Sequence, residues 1–271
     1  MLSVCRYVLG RCCSFVPYLA IFCYFTFPGF LFTLGFVISR KIHKAIEEIS
    51  TSSFFCSVLS TFEQGLQLLG NVTVQEILCY GLGHIAECAG ARYQLALLLS
   101  LKKHFSATVL VYDPRFYAAE TDILEELGCE IIKTNEEGKR KLKHGVTTLV
   151  YLPHCPKQLT NNLLWANWGP QLKHCILFSN SFAKIIETEP DRVLNNTAGY
   201  ILHVSPYTTE LPLTNLSEYK NIFYASSIHI FPQSKLDSVS ETFWNIHEEP
   251  KYNIEDREFI VNKLSDIKLE A

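Results

Sequence analysis

The sequence holds no Cys-x-x-Cys pair, although it carries 10 cysteines. Without that spacing there is no zinc knuckle and no dithiol redox motif, and no metal site is expected. Cys79, Cys129 and Cys175 lie inside apolar runs, where a reduced thiol serves as a small hydrophobe. Charge is also scarce: 19% of residues are charged and the net charge is −3. No basic run alternates with aromatics, so direct nucleic-acid binding is not expected. An acid before the glycine turn at Gly81, usual in methyl-donor sites, is missing too; Cys79-Tyr80 stands there.

Between Cys12 and Ser39 there is no charged residue at all. About 20 apolar residues in a helix span a bilayer, and this run is longer. Arg6 and Arg11 precede it; Arg40, Lys41 and Lys44 follow. The slight excess on the C-terminal side would leave the main domain in the cytosol, though charge on both flanks determines orientation poorly. Pro17, Pro28, Gly29 and Gly35 interrupt helix propensity, which membrane helices tolerate. No small-residue cleavage site closes the run, so a signal peptide fits less well. Two readings of residues 1–39 stay open: a membrane anchor, or a non-native exon joined to a soluble domain. The sequons at Asn71, Asn195 and Asn215 matter only in the secretory lumen.

What is present is an alternation of apolar strands and helices. Residues 40–70 read as a helical lead-in. Ile42, Ala45, Ile46 and Ile49 follow the helical period, and Ser52 or Ser53 can cap a second helix that Gly70-Asn71 closes. Residues 71–249 read as an α/β domain. Strands are expected in "EILCYGLG" from Glu76, ending in glycines, "ATVLVYDP" from Ala107, ending in Asp-Pro, "CEIIKT" from Cys129, "TTLVYLPH" from Thr147 and "HCILFSNSF" from His174. Two more are expected at "YILHVSPY" from Tyr200 and "NIFYASSIHIF" from Asn221, forming an antiparallel edge. Helices are expected from Ala91, Thr121 and Lys157, and a polar helix or turn from Glu136. Residues 250–271 form a polar tail in which Phe259, Ile260, Leu264 and Ile267 mark an amphipathic helix. Near-continuous apolar strands separated by helices predict a Rossmann-like, doubly wound, mostly parallel sheet with N-terminal helices.

Ligands of such folds bind beyond the carboxyl ends of the strands. That rule selects Gly81, Gly83 and His84 after the first strand, Asp113 after the second, His154 and Cys155 after the fourth, and Asn180 and Ser181 after the fifth. Gly81 to Ala86 matches G-x-G-x-x-A, and Asp113 stands where an acid holds a ribose hydroxyl pair. The turn either serves a nucleotide-like ligand or only packs helix on strand. "HIAECAGA" separates Gly83 from the clear helix, so a phosphate would not automatically meet a helix N-terminus. His84 is the titrating group of this rim. His154 and Cys155 make a base and nucleophile only where neighbouring side chains turn the same way. Cys155-Pro156 is also a dipeptide that can give haem iron an axial thiolate; otherwise the prolines set the strand exit and helix start. On the helix that follows, Asn167 is expected to tie the helix end to a neighbouring loop. Trp168 either packs in the core or stacks on a ligand.

"CYGLGHI", "RYQLALLLSL", "VYDPRF", "YLPHCPKQLTNNLLWANW" and "FSNSF", in this order, resemble the sensitivity-to-red-light-reduced (SRR-like) family. The resemblance runs from Glu76 to Phe182, and more weakly to Tyr207; Ser179 stands where the family pattern has glycine. It implies a regulatory protein of the cytoplasm, or of nucleus and cytoplasm, associated with circadian clock-gene expression and haem biosynthesis. It implies no reaction, cofactor or catalytic residue. The expectation is a regulator acting through a small-molecule ligand, haem among them, or a partner protein at the strand rim. The alternative is a nucleotide- or S-adenosylmethionine-dependent, methyltransferase-like enzyme on the same rim. The apolar N-terminus lies outside the family pattern, which favours the exon reading over the membrane anchor.

Overall fold

The computed structural model describes residues 28–214 and 217–253. The chain divides into two units, Met1–Val37 and Ile38–Ala271, and the sheet belongs to the second. Residues 12–27 of the charge-free run and the expected helix around Phe259–Ile267 lie outside the described residues. Among the described residues no helix is long and apolar enough to cross a membrane.

Helix α1 (Pro28–Ser50) places Ile38, Ile42, Ala45 and Ile49 in the core at helical spacing. Helix α2 (Ser53–Leu68) starts where the Ser52 hydroxyl accepts the Phe55 amide at 3.1 Å. It buries Phe54, Phe55, Val58 and Phe62. It ends where Gly70 takes φ +84° and the Asn71 amide donates back to the Leu66 carbonyl.

The seven-stranded sheet has the order β3-β2-β1-β4-β5-β7-β6. Its strands are β1 (Glu76–Tyr80), β2 (Thr108–Tyr112), β3 (Glu130–Ile131), β4 (Thr148–Tyr151), β5 (Cys175–Asn180), β6 (Thr209–Pro212) and β7 (Ser226–Ile230). The first five are parallel; β7 runs antiparallel to β5 and β6 antiparallel to β7. Side chains alternate between two buried faces. Ile77, Cys79, Leu149, Tyr151 and Phe178 face α1, α2, α3 (Ala89–Phe105) and α4 (Ala118–Glu126). Leu78, Tyr80, Val150 and Leu177 face α5 (Lys157–Ala166), α6 (Phe182–Thr188), α7 (Asp191–Thr197) and α8 (Gly199–Val204). Both faces are covered, which is why the parallel strands read as unbroken apolar runs. The chain winds from β1 out to β3, then returns to lay β4 against the other side of β1. The switch point therefore lies between β1 and β4.

Three expected elements differ. The run from Tyr200 is not a strand but α8 followed by a 3-10 turn, Ser205–Tyr207. Its buried residues, Tyr200, Ile201 and Val204, are spaced for a helix, and a short apolar run leaves the two periods ambiguous. The sixth strand is Thr209–Pro212, with its proline at the sheet edge, where a missing amide is tolerated. The seventh begins only at Ser226, because Lys220–Phe223 form α9 and Ala225 takes φ +57°. A short helix, α10, spans Gln233–Leu236. The polar stretch from Glu136 forms an irregular strap, turned by positive φ at Glu137 and Gly138.

Candidate functional site

The expected rim residues lie on the turns that leave β1, β2, β4 and β5. Gly81 and Gly83 take φ +76° and +72°, a region an L side chain enters at a cost. Gly81 also lies under Cys155: a Cβ there would stand 2.4 Å from Sγ. The Gly83 amide donates to Asp113 Oδ2 at 2.6 Å, and the Arg115 amide donates to Oδ1 at 2.7 Å. Both carboxylate oxygens of Asp113 thus hold backbone. Burial pushes its pKa above the ordinary value, against the pull of those two amides. Asp113 is within electrostatic reach of both His84 and Cys155.

His84 stacks on Tyr117, with ring centroids 4.2 Å apart. Its Nδ1 faces Glu120 Oε2 at 3.5 Å. Glu120 is fully buried, and its oxygens accept the Ala86 and Tyr117 amides. This acid was not singled out in the sequence. The only local signal is its place three residues after Tyr117, the spacing of a capping box, and tyrosine is an unusual first member of one. Between Gly83 and α3 the chain makes a separate turn, closed by the Cys88 amide on the His84 carbonyl. Arg92 reaches back from α3 to the Ile85 and Ala86 carbonyls.

Cys155 and His154 do not act as a pair. His154 takes φ +55°, and the two side chains have separate partners. Its Nε2 meets the Ile222 carbonyl at 2.6 Å, and burial lowers its pKa. The Cys155 thiol, 4% exposed, donates to the Tyr80 carbonyl at 3.2 Å. Burial, aided by the Asp113 charge, drives its pKa far up, so sulfur stays protonated. A nucleophile needs the thiolate and an open approach, and so does an axial haem thiolate; this cysteine has neither. It is a peg that joins the β4 turn to the β1 turn. Asn180 adds a tie, donating Nδ2 to the Cys155 carbonyl at 2.8 Å.

Ser181 belongs to a different cluster, under the β5–β7 pairing. Its hydroxyl accepts the Lys184 amide, and its own amide donates to the Ala225 carbonyl. Beside it, buried His229 stacks on Phe182 at 3.9 Å and lies 3.7 Å from Glu210. Burial works to raise the Glu210 pKa, but His229, the Ser181 hydroxyl and the Ala183 amide outweigh it and pull it down to about 2.

The asparagines of α5 are ties. Asn161 accepts the Tyr200 amide at 2.8 Å and donates to the Tyr252 hydroxyl. Asn162 donates to the Glu137 carbonyl and accepts from the Tyr252 hydroxyl. Asn167 accepts the Leu142 amide and donates to the Arg140 carbonyl, the loop tie its position predicts. Trp168 packs on Tyr200, Phe243 and Trp244. The histidine-to-tryptophan stretch is therefore mainly a clamp on the strap from Glu136 and on the segment ending at Tyr252.

Fold and rim together define a Rossmann-like α/β protein with glycine turns and polar side chains knitted at its switch point. The SRR1 domain matches residues 46–246, and the chain belongs to that family. A Drosophila melanogaster SRR1-like protein is 31% identical over 207 residues, covering 75% of this chain and 72% of its own. A Mus musculus SRR1-like protein is 31% identical over 204 residues, covering 63% of this chain and 82% of its own. The Arabidopsis thaliana protein SENSITIVITY TO RED LIGHT REDUCED 1 is 30% identical over 213 residues, covering 74% and 76%. No solved structure matches the chain.

Proposed function

We propose that the chain is an SRR1-family regulatory protein acting through a ligand or partner held at the carboxyl rim of its parallel sheet, in the control of haem biosynthesis and clock-gene expression. Family membership supports the pathway. The observation that carries the location is the knitting of four strand ends by three hydrogen bonds: Gly83 to Asp113, Asn180 to Cys155, and Cys155 to Tyr80. Such pre-organisation leaves Gly83, His84 and Asn180 half-buried around the switch point, where an incoming group would meet them. The cell compartment is proposed as cytoplasm, with or without nucleus.

Deleting the chain from cells that express it should change both clock-transcript rhythm and haem content. Restoring it with His84→Ala and Asn180→Ala should fail to rescue them at equal protein level. Unchanged rhythm and haem after deletion would end the pathway reading; full rescue by the double variant would end the rim reading. The positive-φ glycine turn at Gly81–Gly83, set at the switch point, supports a second reading, a nucleotide- or S-adenosylmethionine-dependent enzyme. Calorimetry of the full chain with S-adenosylmethionine and with NAD decides it: no heat and no melting shift with either rules it out. Haem added to wild type and to Cys155→Ala should give the same absorbance, since the thiol is packed against Gly81.

A further inference from the structure

At the opposite end of the sheet, where β4 and β5 begin, the structure holds a cavity of about 370 Å³. We propose that it binds a small organic anion with an apolar body: an aryl or alkyl carboxylate or phosphate. Three segments build it: residues 141–144 of the strap, residues 166–175 after α5, and His247. Leu142, Ala166, Pro170 and Trp168 supply an apolar wall; Lys141, Lys143, His144, His174 and His247 supply every nitrogen base in the lining. No aspartate or glutamate lines it.

The charge there is unbalanced. Lys143 pairs with Glu76, which stands outside the lining. Among the described residues, the side chains of Lys141, His144 and His174 make no hydrogen bond or ion pair. His174 also has the bases Lys173 and His144 as neighbours. Its pKa is lowered, first by burial and then by the nearby Lys173 and His144. A cluster of bases with no counter-charge, over an apolar wall, is complementary to an anion with an apolar body. Gln171, exposed at the mouth, adds an amide donor.

The walls are fixed independently of any ligand. Asn167 holds Leu142 and Arg140, and the Trp165 indole stacks on His247 and donates to its carbonyl at 3.4 Å. Asn167 is thus spent on the frame, Lys143 on Glu76 and the His247 ring on Trp165, while Lys141, His144 and His174 remain for the occupant.

The sign of the pH effect follows. An anion favours protonated imidazole, so binding should raise the His174 pKa, and affinity should rise as pH falls. Lys141, Lys143 with its Glu76, His144, Lys173 and His247 surround the group; Cys175 stays a neutral, buried thiol.

The test uses the full chain, tryptophan fluorescence and histidine nitrogen resonances. Phenylacetate and phenyl phosphate are the probes, with inorganic phosphate and benzyl alcohol as charge-only and apolar-only controls. At least one aryl anion should bind about tenfold tighter than either control. Which one does so distinguishes a carboxylate from a phosphate ligand. Phenylacetate, whose charge is constant across the range, should bind a few-fold tighter near pH 6 than near pH 7.5. The double variant Lys141→Gln and His144→Gln, both exposed positions, should weaken aryl-anion binding about tenfold at unchanged melting temperature. Lys103→Gln, on a separate groove, should leave it intact. Absence of saturable binding would overturn the proposal. So would inorganic phosphate matching the aryl anions, or a double variant that binds as wild type does.

Discussion

Replacing Gly81 by alanine tests the knitted rim directly. The residue has φ +76°, and a Cβ would stand 2.4 Å from Cys155 Sγ. An alanine in the left-handed region costs about 1–2 kcal/mol. Relieving an overpacked contact in a buried site costs a further ~1–3 kcal/mol. Gly81→Ala should therefore lose about 2–5 kcal/mol, a large share of the 5–15 typical of a domain. Gly83 is the internal control: its φ is +72°, but nothing lies within 4 Å of a built Cβ. Gly83→Ala should lose only the backbone part, about 1–2 kcal/mol. Cys155→Ala by itself removes a buried thiol and its bond to Tyr80, a loss on the order of 1–2 kcal/mol. In the double variant Gly81→Ala, Cys155→Ala the contact is gone, so the two losses should fall short of additive by ~1–3 kcal/mol. Equilibrium urea unfolding of the four proteins measures this. Additivity within about 0.5 kcal/mol, or a Gly81→Ala loss no larger than that of Gly83→Ala, would refute the account of Cys155 as a peg.

Other variants probe the clamp and the second cluster. Tyr252→Phe removes the hydroxyl that joins Asn161, Asn162 and the Gln158 carbonyl. It should lose about 1–3 kcal/mol and speed proteolysis near residues 246–253, because buried amides are left unpaired. Intact protease resistance would argue against the clamp. Asp113→Asn keeps one acceptor oxygen where two backbone amides need acceptors. A loss of about 1–2 kcal/mol and faster amide exchange at Gly83 are expected; unchanged exchange would contradict the tie. Glu210 is depressed from 4.5 to about 2. A lowered carboxylate contributes stability that is complete above its unfolded pKa and is lost as pH falls from about 4.5 towards 2. Glu210→Gln should be less stable at neutral pH and show a shallower fall across that window; an identical acid profile would dismiss the His229–Glu210 contact.

The parallel body of the sheet was legible because its strands are buried on both sides. Runs such as Glu76–Tyr80 and Thr148–Tyr151 have no solvent face to interrupt them. The α2 cap at Ser52 was legible too, since a cap acts within a few residues, and so was the Asn167 tie, since an amide at a helix end needs a partner even though Leu142 comes from a distant loop. The run from Tyr200 misled because apolar residues in a short segment satisfy strand and helix alike, and only packing against α5 and α7 chooses between them. Glu120 was hidden because its partners, Ala86 and His84, come from another turn. Ser181, Glu210 and His229 were likewise invisible as a group, since β6 and β7 bring them together from distant stretches.

By itself the sequence determined the strand and helix alternation, the glycine turn at Gly81–Gly83 and the family, because local periodicity and short-range motifs carry that information. Only the tertiary structure decided what the polar residues do. Whether a cysteine is a nucleophile or a peg, and whether an acid greets a ligand or holds an amide, depends on burial and on partners many residues away. For Cys155 and Asp113 those partners are the Tyr80 carbonyl and the Gly83 amide. Side-chain chemistry follows the dielectric and the hydrogen bonds around a group, and those exist only once the chain has packed.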